Sequence, residues 1–166
     1  MNPIDTHCHI HSPEFFDSDQ AESVYKESAS NLEAMILVGT SLSDSKDAIN
    51  FADDHPDKCF ASVGIHPHEA AKMTKDQITA DLKELAAIAK HKSVRAIGEC
   101  GFDFFYNDKS KLTRNQTLLL EGQLQIASDL GLPLSFHIRE GFDEFWPILT
   151  NFSAVKGVLH SFSDRQ

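Results

Sequence analysis

The sequence predicts an α/β protein built on a parallel sheet, and three observations carry that prediction. Short apolar runs of strand length alternate with helical patterns along the chain. The links between them are short, as right-handed strand–helix–strand units require. Runs such as EAMILVGT are continuously apolar, which suits a strand covered on both faces. Such a sheet is either open and doubly wound or closed into a barrel, and periodicity alone allows both.

The elements follow in order. PIDTHCHI reads as the first strand. DQAESVYKESASNL then places Ala21, Val24, Tyr25 and Ser28 at helical spacing, with Ser18 as the expected N-cap. EAMILVGT is the second strand, and SDSKDAINFADDHP a short helix capped by Ser43 and stopped before Pro56. CFASVGIH is the third strand. TKDQITADLKELAAIAKH opens with Thr74 and Gln77 at capping-box spacing and sets Ile78, Leu82, Leu85 and Ile88 on one stripe. VRAIGECG is the fourth strand. TRNQTLLLEGQLQIASDLG repeats the capping-box spacing at Thr113 and Gln116 and stops at Gly131 and Pro133. LPLSFHIR, FDEFWPILTNF and VKGVLHSF complete the series as strand, helix and strand. No linker divides it, so residues 1–166 read as a single domain.

Composition narrows the function. The 166 residues suffice for one core. A net charge of −10 disfavours an electrostatic duplex-binding module, whose grip comes from Lys and Arg. It leaves room for metal-assisted chemistry on phosphates, because a bound cation reverses the local sign. Cys8, Cys59 and Cys100 form no CxxC pair and read as reduced, buried thiols. The N-terminus has no signal-peptide pattern and no apolar run is long enough to span a bilayer, so a cytoplasmic address without a membrane partner is expected.

The polar residues fall where a parallel α/β fold carries its site. Strand one ends in His7 and His9, strand three in His66, strand four in Glu99, strand five in His137 and strand six in His160. Carboxyl ends of parallel strands converge on one mouth. A buried carboxylate among imidazoles is costly unless something cationic sits there. This donor set suits one or two divalent ions of Zn, Mn, Ni or Co, with Mg open through Glu99 and phosphate oxygens. Arg139 is either a fork for phosphate or carboxylate or a salt-bridge partner at the rim. His11 reads as a loop histidine. His68 either faces the mouth or solvates its rim, and Asp103 either lines the mouth or caps a turn in a loop. His55, His91 and the Asp53–Asp54 pair read as structural helix-end groups. Phe102, Phe104, Phe105 and Tyr106 read as a loop folding back on the sheet.

DTHCHIHSPEF, VGIHPHE, AIGECGFDFF, LPLSFHIRE and GVLHSFS, in this order, resemble the signature segments of the TatD-like metal-dependent hydrolases. The resemblance covers essentially the whole chain. It implies a (β/α) TIM barrel, here incomplete, with about six parallel strands of an eight-stranded barrel. It also implies a deoxyribonuclease of 3′–5′ exonuclease character. By position, His7 and His9 would bind a first metal, Glu99 would bridge, and His137 and His160 would bind a second. His66 would lie near the substrate phosphate, so Glu99, His66 and Arg139 are the catalytic candidates. The chain departs from the family at His11, where Asp is common. It also stops before two further strand–helix units, one of which supplies a metal-binding Asp. Truncation at the C-terminus is thus expected, with weak activity and self-association through open sheet edges. The expected substrate is DNA, single-stranded or at 3′ ends, cleaved by metal-activated water. The competing readings are a hydrolase of amide or ester bonds and a catalytically weak metal-binding fragment.

Overall fold

The structure, a computed structural model, describes residues 2–105 and 109–163, apart from the side chains of Ser161 and Ser163. Six strands form one sheet in the order of the sequence, every neighbouring pair parallel. They are β1 (Ile4–Cys8), β2 (Ala34–Val38), β3 (Cys59–Val63), β4 (Val94–Asp103), β5 (Leu134–Arg139) and β6 (Gly157–Ser163). Helices α1 (Ser18–Ala29), α2 (Leu42–Asp54), α3 (Lys75–Ile88), α4 (Lys109–Leu130) and α5 (Phe142–Leu149) link them, with a short 3-10 helix at Pro67–Lys72. Sequential order with helical crossovers curls the sheet into a partial barrel, with β1 and β6 at its edges. That is the incomplete TIM-barrel class expected.

The core explains the continuous apolar runs. Leu37 and Val38 on β2, Ala61 and Val63 on β3 and Ile97 on β4 are all fully buried, although they are neighbours or near-neighbours in sequence. One face meets the barrel interior and the other meets the helices. Leu119, Leu120 and Leu124 of α4 close the outer side of β4.

Helix α4 also buries two amides. Gln123 accepts from the Ile65 N–H at 2.8 Å and donates to the Ile65 carbonyl at 3.1 Å. Gln116 accepts from the Asp103 N–H at 3.2 Å and donates to the carbonyls of Asp103 and Pro67 at 3.0 and 3.2 Å. Each amide therefore pairs both a donor and an acceptor of the backbone leading into the mouth.

Three expected caps move. Asp17, not Ser18, caps α1, in a capping box with Gln20. Ser41, not Ser43, caps α2 by accepting from the Asp44 N–H. Thr113 lies inside α4, where its hydroxyl donates to the Lys109 carbonyl at 2.7 Å, and Gln116 is occupied with Asp103. The Thr74–Gln77 box forms as expected, and Gly131, at φ +66°, ends α4 in the left-handed region that favours glycine. Asp103 belongs to β4 rather than to a loop, pairing with Arg139 of β5. Tyr106 lies outside the described residues; Phe102 and Phe104 are buried and Phe105 is exposed. Cys59 and Cys100 are buried and Cys8 half-buried, all as free thiols. Burial pushes the Cys8 and Cys59 thiols up to about 12. Among the described residues no helix is long and apolar enough to cross a membrane.

Candidate metal centre

Glycine lets β4 deliver its carboxylate. Gly98 has φ +132°, and a Cβ there would sit 2.4 Å from the Ser135 carbonyl oxygen. A Cβ on Gly64 would in turn meet the Gly98 carbonyl carbon at 2.4 Å. Backbones of β3, β4 and β5 therefore pass too closely for side chains at these points. The pairing of β4 with β5 shifts register between Ile97 and Cys100, and Glu99 within that interval lines the mouth. The mouth is a cleft of about 490 Å³ whose lining includes His9, Thr40, His66, Glu99, His137 and His160.

Glu99 is the hub. Its Oε1 lies 2.9 Å from His137 Nδ1 and 3.6 Å from His160 Nε2, while Oε2 lies 3.6 Å from His7 Nε2. Ligand-capable atoms of His7, His9 and Glu99 lie within 4.8 Å of one another, and so do those of His66, Glu99 and His137. Two histidine pairs thus share one carboxylate.

Behind this hub stands Asp103, fully buried. Its Oδ2 lies 2.9 Å from both His137 Nε2 and His68 Nε2. Burial opposes charge on His137, but hydrogen bonds to Asp103 and Glu99 outweigh it and raise the imidazole to about 9. Burial likewise opposes ionisation of Glu99 and Asp103. The His137 hydrogen bond, aided by His66 for Glu99 and by the Phe105 N–H for Asp103, holds both carboxyls at about 2. His7 and His66 go the other way. Burial lowers them to about 4 and about 3, so both are neutral, lone-pair-bearing imidazoles at ordinary pH.

The residues fit a divalent ion. His7 Nε2 and His9 Nδ1 are buried polar atoms with no hydrogen-bond partner, a cost that a cation would remove. Two ligands around one Zn-sized ion, each about 2.1 Å from it, stand no more than about 4.2 Å apart. The His7–His9–Glu99 group needs only slight closure to reach that.

Each site candidate now has a position. His7, His9, Glu99, His137 and His160 meet at one mouth, as their strand-end placement anticipated. His66 sits nearer the second group than expected, and His160 stands outside it. The His160 ring instead stacks on His7 at 3.7 Å between centroids. Arg139 is not among the cleft-lining residues, and its guanidinium lies 3.5 Å above the Phe105 ring. His68 faces the mouth, its Nε2 within ion-pair distance of Asp103. His11 is a turn residue with its side chain fully buried, 3.4 Å from Asp44 Oδ1. His55 and His91 are structural, meeting Glu22 at 2.8 Å and Ser93 at 2.9 Å. Asp44 escaped sequence reasoning, since a first-turn acid after an N-cap is ordinarily solvated.

Comparison with known proteins agrees with this geometry. The TatD related DNase model matches residues 4–166. A 3′-5′ ssDNA/RNA exonuclease TatD from Rahnella sp. is 35% identical over 150 residues, spanning 89% of this chain and 55% of that protein. Its namesake from Musicola paradisiaca is also 35% identical over 150 residues, spanning 89% and 54%. The chain spans about half the length of these curated relatives. The crystal structure of a TatD homolog from Escherichia coli superposes with a TM-score of 0.79 at 27% identity, covering 98% of this chain and 61% of that one. A TatD family hydrolase from Entamoeba histolytica shares the fold at a TM-score of 0.79 and 20% identity, over 98% and 59%. Because the family model matches all but the first three residues, the chain belongs to the TatD-related deoxyribonuclease family.

Proposed function

We propose that this chain carries the metal-binding half of a nuclease that hydrolyses phosphodiester bonds in single-stranded DNA from the 3′ end. The observation that carries this reading is Glu99, a buried carboxylate shared by two histidine groups. The relatives named as 3′-5′ ssDNA/RNA exonucleases support the substrate class. His7 and His9 with Glu99 would hold one divalent ion, and Glu99 with His66 and His137 a second, His160 joining from β6. Zn, Mn, Mg, Ni and Co are the candidate ions, the nitrogen-rich donor set favouring the transition metals. Bound ions of this kind lower the pKa of water and neutralise charge developing on a phosphoryl group.

The protein's own residues fix the geometry. Glu99 sets the spacing of the two histidine groups, and Asp103 holds His137 from behind. His66, neutral and facing the cleft, is placed to donate to a phosphoryl oxygen when its share of metal binding allows. Arg139 is the phosphate fork at the rim, steadied on Phe105. Among the described residues of the cleft lining, Lys72 and the protonated His137 are the cations, against Glu14, Glu69 and Glu99. A duplex with dense charge suits such a surface poorly, and a single strand entering end-on suits it better. A cytoplasmic address and self-association through the β1 and β6 edges belong to the same proposal, the latter read by light scattering.

The test is digestion of 3′- and 5′-labelled single strands, duplexes, small esters and amides, with each metal and with chelator. Chelator-sensitive release of nucleotides from 3′ ends supports the proposal. Hydrolysis of esters or amides alone, or stoichiometric metal with no cleavage of any substrate, would overturn it.

A further inference from the structure

Strand β2 contributes no histidine or carboxylate to the mouth, yet the turn after it bonds the backbones of two candidate ligands. The Gly39 carbonyl accepts from the Glu99 N–H at 3.1 Å, and the Thr40 carbonyl accepts from the His66 N–H at 2.7 Å. Backbone positions of two candidate ligands therefore depend on where this turn lies. One side chain sets that. Asp44 Oδ2 accepts from both the N–H and the hydroxyl of Thr40, at 2.9 and 3.0 Å.

The other oxygen of the same carboxylate faces the loop after β1. Asp44 Oδ1 lies 3.4 Å from Nε2 of His11, whose side chain is fully buried. The adjacent Ser12 N–H donates to the His9 carbonyl at 3.0 Å and closes the turn that carries His9. A first-turn acid of α2 would serve the helix equally well if its carboxylate pointed to solvent. Here both oxygens are turned back onto the two loops, and the side chain keeps only 13% of its exposure.

We propose that Asp44 is a positioning residue of the metal centre, acting through His11 and Thr40 to hold the loops that present His9, His66 and Glu99. It touches none of the candidate ligand groups itself. Outer partners of this type tune metal affinity by orienting the residues that bind. The inference rests on the metal-centre reading above.

Metal-free protein titrated calorimetrically with Zn or Mn gives the test, independent of any nuclease assay. Asp44→Ala is expected to weaken binding by about 10-fold or more. Asp47→Ala, which removes the same charge from α2 without touching the Thr40 contacts, stays within about twofold of the parent. Asp44→Asn keeps an oxygen for Thr40 and falls between the two. If Asp44→Ala does not fold, Asp44→Asn decides, a loss of about threefold or more supporting the proposal and parental affinity overturning it. A lower melting temperature with parental affinity, or an equal loss in Asp47→Ala, overturns it as well. A parent that binds neither ion sinks both this inference and the metal-centre reading. Parental binding without nuclease activity sinks only the choice of substrate.

Discussion

His137 and His160 stand opposite one another in register on β5 and β6, and they are held in different ways. His137 sits between two carboxylates at 2.9 Å each, its side chain 10% exposed. His160 is 39% exposed, 3.6 Å from Glu99 and stacked on another imidazole. The difference follows from the strands. β5 has neighbours on both sides, whereas β6 is an edge whose Val158, Leu159 and Phe162 are exposed. Beside it, Phe136, Phe145, Trp146 and Leu149 line an apolar groove of about 500 Å³. His137, on an inner strand, is fixed by its two carboxylates, whereas His160, on the β6 edge, is held only loosely.

Substitution at the hub strains this contrast most. Glu99→Gln removes the one group common to both histidine sets, so divalent affinity measured by calorimetry should fall more than about 100-fold, past the range of outer partners. A smaller loss would mean that the two sets bind independently. Next, His137→Ala leaves Glu99 and Asp103 buried with no cation between them, which should cost about 3–5 kcal/mol in urea denaturation of the metal-free protein. His160→Ala, at a half-exposed position, should cost about 0–1 kcal/mol. Equal costs would erase the distinction between inner and edge strands.

The pH profile sharpens it further. His137 is raised from 6.5 to about 9, so its contribution is complete below 6.5 and is lost as pH rises through about 9. His7 and His66 are lowered from the same value, so stability falls as pH drops below 6.5 towards about 4 and about 3. Glu99 and Asp103, depressed to about 2, add to the acid loss below the ordinary carboxylate range. Metal-free melting temperature should therefore peak near pH 6.5, and His137→Ala should flatten the alkaline limb while also weakening the acid loss from Glu99 and Asp103, whose carboxyls His137 holds down. An unchanged alkaline limb in that variant would show that the imidazolium is not held as described. The smallest effect belongs to the edge, where Leu159→Lys should alter stability by no more than about 0.5 kcal/mol. A larger loss there would show that β6 is covered in solution.

The strand–helix alternation and the gathering of strand-end histidines around Glu99 were legible because both are written in local spacing. Apolar runs mark the buried strands, and each candidate ligand follows its run directly. Asp103 kept even spacing from Glu99, but FDFF resembles a loop, and only pairing with Arg139 of β5 extends the strand that far. Gln116 matched a capping box because the spacing from Thr113 is correct, although α4 begins a turn earlier. Asp44 carried no signal at all. Its partners His11 and Thr40 come from separate loops, and only the sheet order brings β1 and β2 together. Long-range polar contacts of this kind have no period to read.

The paired amides of α4 have a consequence for how this protein can change. Gln116 and Gln123 are seven residues apart, close to two full turns, so both face the sheet from one side of the rod. One pins the backbone beside His66 and the other the backbone at Asp103. Inserting or deleting a single residue between them would swing one amide by about 100° around the axis. Only one of the two tethers would survive. The solvent side of this helix can drift in composition, but the distance between those glutamines acts as a gauge that evolution or a designer must leave uncut.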